Sequence, residues 1–267
     1  MTPKRINHIE IIDEIGSGGT ASVLKGVDLN NGRLVAVKVL WSNLFKSDQI
    51  KKRFIFEANQ YLYLNHPGIV ALKDFIIKDD AYYLVMEYIE GQNLDEYINK
   101  VTGPMPENKA ISIMLEILDA VGYAHKNNVL HLDIKPANVM IDVNNKIKLL
   151  DFGISSEGQQ DNNGQIMGSP LYMSPEQIMG KNIDKPSDIY SLGITFFQML
   201  TGNTPYSGNM SREELFAKIQ EGNLPKAKSI YPFVSDKIQS IIDNATHKDR
   251  TKRFQSTDEF SSQLKAI

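Results

Sequence analysis

The sequence predicts an α+β fold in two lobes, a small N-terminal antiparallel sheet with one helix and a larger, mostly helical C-terminal part. Three observations predict it. Strand-like runs fill most of residues 8–88, with one helical interruption. A polar break falls at Glu90-Gly91-Gln92-Asn93. Beyond it, apolar residues recur mainly at helical spacing.

Taken in order, Ile9, Ile11 and Ile12 precede a turn at Gly16-Ser17-Gly18-Gly19, and Ser22-Val23-Leu24 and Leu34-Val35-Ala36-Val37 follow. Asn30-Asn31-Gly32 separates the last two runs, and Asn-Gly between such runs is a hairpin signal. Ile50, Phe54, Ala58 and Tyr61 then recur at helical spacing over residues 48–64, until His66-Pro67-Gly68 ends the helix. Ile69–Ile77 and Tyr82–Tyr88 read as two more strands around Lys78-Asp79-Asp80. After the break, Leu94–Asn99 reads as a short helix. Pro106 stands at the start of a longer one, whose broad apolar face carries Ile111, Met114, Ile117, Leu118, Val121 and His125. Val129-Leu130, Val139–Ile141 and Ile147–Leu150 read as short strands, and residues 154–168 as a mobile polar loop. Ser187–Leu200, Ser211–Glu221, Ser235–Ala245 and Ser256–Ala266 read as helices.

The bulk properties exclude several function classes. A net charge of −3 gives no electrostatic footprint for nucleic acid. The absence of cysteine excludes disulfides and thiolate chemistry and fits a reducing compartment. No apolar run reaches the roughly 20 residues that span a bilayer, and Met1-Thr2-Pro3-Lys4-Arg5 begins no signal peptide. A soluble cytoplasmic protein without a membrane segment is the expectation. Oligomeric state is not readable.

The chemistry concentrates in His131-Leu132-Asp133-Ile134-Lys135-Pro136-Ala137-Asn138, followed by Asp151-Phe152-Gly153. Asp133 could accept a proton, Lys135 could hold a phosphoryl oxygen, and Asn138 with Asp151 could hold a divalent metal. That grouping suits phosphoryl transfer, which depends on positioning and charge stabilisation. Taken singly, each feature has an ordinary reading. Most Gly-rich hairpins are turns, a strand-end lysine such as Lys38 is commonly solvated, and an isolated aspartate commonly caps a helix or turn. Glu57 differs, because it lies in an otherwise apolar stretch between Phe56 and Ala58, and a carboxylate there needs a partner such as Lys38. A strand, not a helix, follows the Gly loop, which rejects a dinucleotide-binding turn.

The joint order of Gly loop, Val35-Ala36-Val37-Lys38, H-x-D-x-K-x-x-N, D-F-G and Ser174-Pro175-Glu176 resembles the eukaryotic-type (Hanks-type) protein kinases, most closely the bacterial Ser/Thr members. The resemblance runs from Ile9 to Leu264. It implies one protein kinase domain over 1–267, with an N-lobe at about 8–88, a hinge at about 87–92 and a C-lobe at about 93–267. It implies ATP and Mg²⁺ as cofactors, with Mn²⁺ as an alternative, and protein Ser/Thr hydroxyls as substrates. On this pattern Gly16, Ser17, Gly18, Gly19 and Val23 cover the nucleotide, and Ala36 and Met140 sandwich adenine. Met86 stands at the gatekeeper position, and Glu87 through Ile89 at the hinge. Lys38 pairs with Glu57, Asp133 accepts the substrate proton, and Lys135 neutralises the transferring group. Asn138 and Asp151 hold the metal. Glu176 pairs with Arg253, and Asp188 caps the backbone of the 131–138 stretch. His131 and Phe152 stack with Tyr61 and Leu72 in a spine, with Gly153 and Ser169 in support. Lys135-Pro136 and Gly168-Ser169-Pro170-Leu171-Tyr172 resemble the Ser/Thr-type version.

One departure matters. The arginine of H-R-D is Leu132, and residues 157–168 contain no Ser, Thr or Tyr, only Ser155 and Ser156 preceding that gap. An enzyme that needs no activation-loop phosphorylation is expected. Two other classes share the fold: an ATP-binding pseudokinase scaffold, whose usual mark is loss of Lys38, Asp133 or Asp151, and a small-molecule kinase, which generally lacks the 168–176 pattern.

Overall fold

In the computed structural model, which describes residues 4–17, 21–41, 48–78, 81–152, 170–206 and 210–267, the chain divides into two units, Met1–Glu90 and Gly91–Ile267.

The first unit is an antiparallel sheet with one helix on it. Its strands are β1 (Arg5–Ile6), β2 (Ile9–Ser17), β3 (Ala21–Asp28), β4 (Arg33–Trp41), β5 (Leu72–Lys78) and β6 (Ala81–Glu87), in the order β1-β2-β3-β4-β6-β5. Alternation along β4 buries Val35, Val37 and Val39 together with Leu24 of β3, and with Tyr83 and Val85 of β6. The β3–β4 hairpin forms where Asn-Gly predicts one, through a four-residue loop between the paired Asp28 and Arg33. Gly32 adopts φ 71°, and its N–H returns to the Asp28 carbonyl at 2.7 Å. Helix α1 (Asp48–Leu62) packs by Phe54, whose ring meets those of Phe75 and Tyr82 at 5.7 and 5.4 Å. Tyr61, also buried on α1, donates its hydroxyl to the Val70 carbonyl at 2.5 Å.

The second unit starts with β7 (Gly91–Asn93), α2 (Leu94–Tyr97), a π-helical turn over Ile98–Thr102, and α3 (Glu107–Lys126). Strands β8 (Val139–Asp142) and β9 (Ile147–Leu149) follow, and then α4 (Pro175–Met179), α5 (Lys185–Thr201), α6 (Arg212–Glu221), α7 (Ala227–Ile230), α8 (Asp236–Ala245) and α9 (Thr257–Lys265). Asn93, Ser174, Asp184, Ser211, Ser235 and Ser256 cap α2, α4, α5, α6, α8 and α9, each accepting from a first-turn N–H. Helix α5 is buried from Pro186 to Thr201, on its polar positions as well as its apolar ones, and α3 and α8 pack against it.

Two sequence expectations are corrected. The polar break is itself a strand, because Gly91, Gln92 and Asn93 pair with Asp142, Ile141 and Met140. Val129-Leu130 is not a strand, since the Val129 N–H returns to Ala124 at the end of α3 and the His131 N–H goes to a side chain. Pro106 stands at the start of α3 as expected, as its N-cap, one position before the first helical residue. Among the described residues, no helix is long and apolar enough to cross a membrane.

Candidate active site

The residues of the 131–138 stretch owe their positions to α5. Asp188, fully buried near the start of that helix, accepts from the N–H of His131 through Oδ2 at 2.9 Å and from the N–H of Leu132 through Oδ1 at 2.8 Å. His125 at the end of α3 adds its Nε2 to Asp188 Oδ2 at 2.7 Å. Burial works to raise the Asp188 pKa, but the His125 hydrogen bond and charge, His131 and the backbone donor outweigh it and hold it below the usual carboxylate value.

The chain then turns through Leu132, which adopts φ 63° with a buried side chain. A β-carbon is crowded in that left-handed region, at a cost of about 1–3 kcal/mol, so the surroundings must enforce it. Asp133 follows, about a quarter exposed, and its Oδ2 accepts from Lys135 Nζ at 2.8 Å and from Asn138 Nδ2 at 2.9 Å. Asn138 Nδ2 also reaches the Asp133 carbonyl at 2.8 Å, which closes the 3₁₀ turn Pro136–Asn138 over the aspartate. Asp133, Lys135 and Asn138 are therefore one hydrogen-bonded group.

His131 is fully buried. Its Nδ1 accepts from the Asp133 N–H at 3.3 Å, its Nε2–H donates to the Leu150 carbonyl at 2.8 Å, and its ring meets Phe152 at 4.7 Å. Burial pushes its pKa below the usual imidazole value, against the opposing charges of Asp188, Asp133 and Asp151. Leu150 also donates its N–H to the Asn138 carbonyl at 2.9 Å, so His131 and Asn138 both hold the strand end that carries Asp151. Asp151 adopts φ 57°.

Glu176 and Arg253 form the buried support. All five guanidinium donors of Arg253 are used: two on Glu176 at 2.7 and 2.9 Å, the others on the carbonyls of Pro186, His247 and Lys248. Ser187 donates to Glu176 at 2.7 Å. Burial alone would raise the Glu176 pKa. The Arg253 hydrogen bonds and charge and the Ser187 hydroxyl reverse that and hold it low.

In the first unit, Gly16 and Ser17 are exposed at the end of β2, and Gly16 faces Val23 across the ladder. Ala36 pairs with Met86, and half-buried Lys38 with Leu84. Glu87 is tied to Ala71 by both its side chain and its N–H, at 2.9 and 3.0 Å, and Ile89 is half-buried. Glu57 lies half-buried on α1, in the same unit as Lys38, while Tyr61 and Leu72 are buried there. Met140 lies on β8 in the second unit. Gly18, Gly19, Gly153, Ser155, Ser156 and Ser169 lie outside the described residues, as do the polar loop and the side chain of Trp41.

Three participants were not foreseen in these roles. His125 is the partner of Asp188, and a histidine on the apolar face of a predicted helix was its signal. Gln177 donates Nε2 to the Leu132 carbonyl at 2.8 Å, and the Ser174-x-x-Gln177 capping spacing was legible. Tyr172 donates to Gln198 at 2.5 Å, which donates to Asp95 at 3.0 Å, a relay no local pattern announces.

This α+β arrangement, with its carboxylate, ammonium and carboxamide in one group, is that of a protein kinase, and the chain belongs to the protein kinase domain family, whose model matches residues 9–264. It is similar to the serine/threonine-protein kinase PrkC of Bacillus subtilis, 38% identical over 98% of this chain and 41% of that protein. It is also similar to the serine/threonine-protein kinase PknB of Mycobacterium tuberculosis, 32% identical over 98% of this chain and 43% of that protein. The chain thus spans about two-fifths of the length of these relatives. Among solved structures, the kinase domain of Mycobacterium tuberculosis PknI shares the fold, with a TM-score of 0.80, 23% identity and coverage of 98% of this chain and 97% of that one.

Proposed function

We propose that this chain is a serine/threonine protein kinase domain that transfers the γ-phosphoryl of ATP to Ser and Thr hydroxyls of protein substrates. The observation that carries the reading is the Asp133 carboxylate, tied to Lys135 and Asn138 and set on backbone that Asp188 fixes. ATP and a divalent metal are general to the family. Asn138 and Asp151 offer hard oxygen donors of the type Mg²⁺ takes. Asn138 directs Nδ2 to Asp133, and its Oδ1 has no hydrogen bond among the described residues, so the donor set fits the ion. The bound metal supplies charge neutralisation at the phosphates.

The chain's own residues do the rest. Asp133 orients the substrate hydroxyl and takes its proton, and Lys135 holds the transferring phosphoryl oxygens. Lys38, steadied by Glu57, holds the non-transferring phosphates. Gly16 through Gly19 with Val23 cover the nucleotide, the Glu87–Ile89 backbone beside Met86 bonds the adenine edge, and Ala36 and Met140 each offer an apolar side chain to adenine. Glu176 with Arg253, and His131 with Phe152, keep the supporting segments in place.

Activity independent of activation-loop phosphorylation belongs to the same reading. Leu132 places no cation beside Asp133 that a phosphoryl group would have to neutralise. Transfer from labelled ATP with Mg²⁺ to a basic protein, beside an Asp133→Asn control, tests the function. Label on protein Ser or Thr that the control abolishes is the expected result. Nucleotide binding without transfer would point to a pseudokinase scaffold, and label confined to metabolites to a small-molecule kinase. Phosphatase treatment before the assay should leave the rate unchanged, and a large loss would overturn the phosphorylation-independent reading.

A further inference from the structure

We infer that Gln177 is a positioning residue for Asp133. Its side-chain amide holds the Leu132 carbonyl, and together with Asp188 it locks the left-handed turn that presents the Asp133 carboxylate. The inference rests on the reading of Asp133 as the proton acceptor.

Leu132 adopts φ 63°, a conformation leucine takes only when its neighbours enforce it. Its buried side chain has no polar atom, so the polar restraint on this residue acts through its peptide groups. Both are held. The N–H donates to Asp188 Oδ1 at 2.8 Å, and the carbonyl accepts from Gln177 Nε2 at 2.8 Å. That carbonyl belongs to the same peptide plane as the Asp133 N–H, which donates to His131 Nδ1 at 3.3 Å. One plane is therefore pinned at opposite edges, by Gln177 on one side and His131 on the other. Rotating it would swing the bond that aims the Asp133 side chain toward Lys135 and Asn138.

Gln177 is itself fixed. Its Oε1 accepts from the N–H and the hydroxyl of buried Ser174, at 3.0 and 3.1 Å, as the third residue of the capping box of α4. A backbone donor on one side and a carbonyl on the other also settle which end of the amide is which. The residue before it, Glu176, is gripped by Arg253 and by Ser187, which is adjacent to Asp188. The two anchors of Leu132 thus come from helices α4 and α5, which are bonded to each other.

Gln177→Glu separates the two functions of the side chain. A carboxylate still accepts from Ser174, because S-x-x-E is a standard capping box, but it has no donor for the Leu132 carbonyl. Gln177→Met removes both bonds while keeping the length. In the full chain, kcat for protein substrate should fall about 10- to 100-fold in each variant, with KM for ATP unchanged. Gln177→Glu should keep the Ser174 cap and a cooperative melt, lowered only by the unpaired Leu132 carbonyl and less than in Gln177→Met, and amide exchange in peptides spanning Leu132 and Asp133 should quicken. Unchanged kcat in folded Gln177→Glu and Gln177→Met would overturn the inference, whatever the exchange rates. So would unchanged exchange at Leu132 and Asp133. A wild-type chain that transfers no phosphoryl group would sink the kinase reading instead, and the exchange comparison would still decide whether Gln177 holds the turn.

Discussion

Arg253 grips Glu176 with two parallel hydrogen bonds at 2.7 and 2.9 Å across 77 residues of sequence, and both side chains are buried. Removing one partner of such a pair leaves an uncompensated buried charge, which costs about 3–5 kcal/mol. Arg253→Met should therefore lower the urea midpoint strongly, with an unchanged denaturant slope. Arg253→Lys should recover little, because an ammonium cannot make the five bonds that the guanidinium makes. A midpoint within error of wild type for Arg253→Met would show that the pair is not structural.

The same pair sets an acid limit. Glu176 has its pKa lowered from 4.5, so the unfolded chain takes up its proton at a higher pH than the folded chain. Its contribution is complete above the unfolded value and is lost as pH falls through the folded one. In Glu176→Gln, unfolding free energy measured at a series of pH values should lose part of its slope below pH 4.5.

His131 governs a higher window. Its folded pKa lies below 6.5, so between the two values the unfolded chain binds the extra proton. Stability is complete above pH 6.5 and declines as pH falls below it. Protonation would also put a donor on Nδ1 against the Asp133 N–H. His131→Phe keeps a ring against Phe152 and should flatten the stability profile just below pH 6.5. An unaltered profile in that variant would assign the slope to another group.

Much of this was legible in the sequence because period and spacing are local. Phe54 and Tyr61 recur seven residues apart and both face inward, and Asn31-Gly32 made the hairpin it promised. Asp133, Lys135 and Asn138 lie within six residues, so their grouping needed only one turn. Distance made other features illegible. The Val129-Leu130 run has strand composition, yet Asp188, 57 residues after His131, takes the backbone donor that a ladder would have used. Gln92 has no apolar neighbours to mark it as a strand, since β7 is defined by its pairing to β8. Gln177 looked like a capping residue and is one, but its second bond spans 45 residues.

Gly91 is required by that pairing. A β-carbon there would lie 2.0 Å from the Ile141 carbonyl oxygen and 2.9 Å from the Asp142 backbone, neither of which can yield without breaking the strand. Gly91→Ala should cost about 1–3 kcal/mol through overpacking. Thermal melting of the variant measures it, and an unchanged melting point would mean that β7 shifts freely.

Asp188 and Gln177 hold opposite ends of the Leu132 residue, so their effects should be coupled. Asp188→Asn keeps the shape but replaces one of the two acceptor oxygens with a donor, so that either the Leu132 N–H, or His125 Nε2 together with the His131 N–H, loses its acceptor. That change should cost about 1–3 kcal/mol of stability, as the unpaired Leu132 carbonyl does in Gln177→Glu, and lower kcat. Once Asp188→Asn has released the turn, removing the Gln177 donor has less left to undo. The double variant Asp188→Asn/Gln177→Glu should therefore lose less kcat than the two singles multiplied together, with a coupling of at least about 0.5 kcal/mol. Effects that simply add would place the two residues on independent structural features.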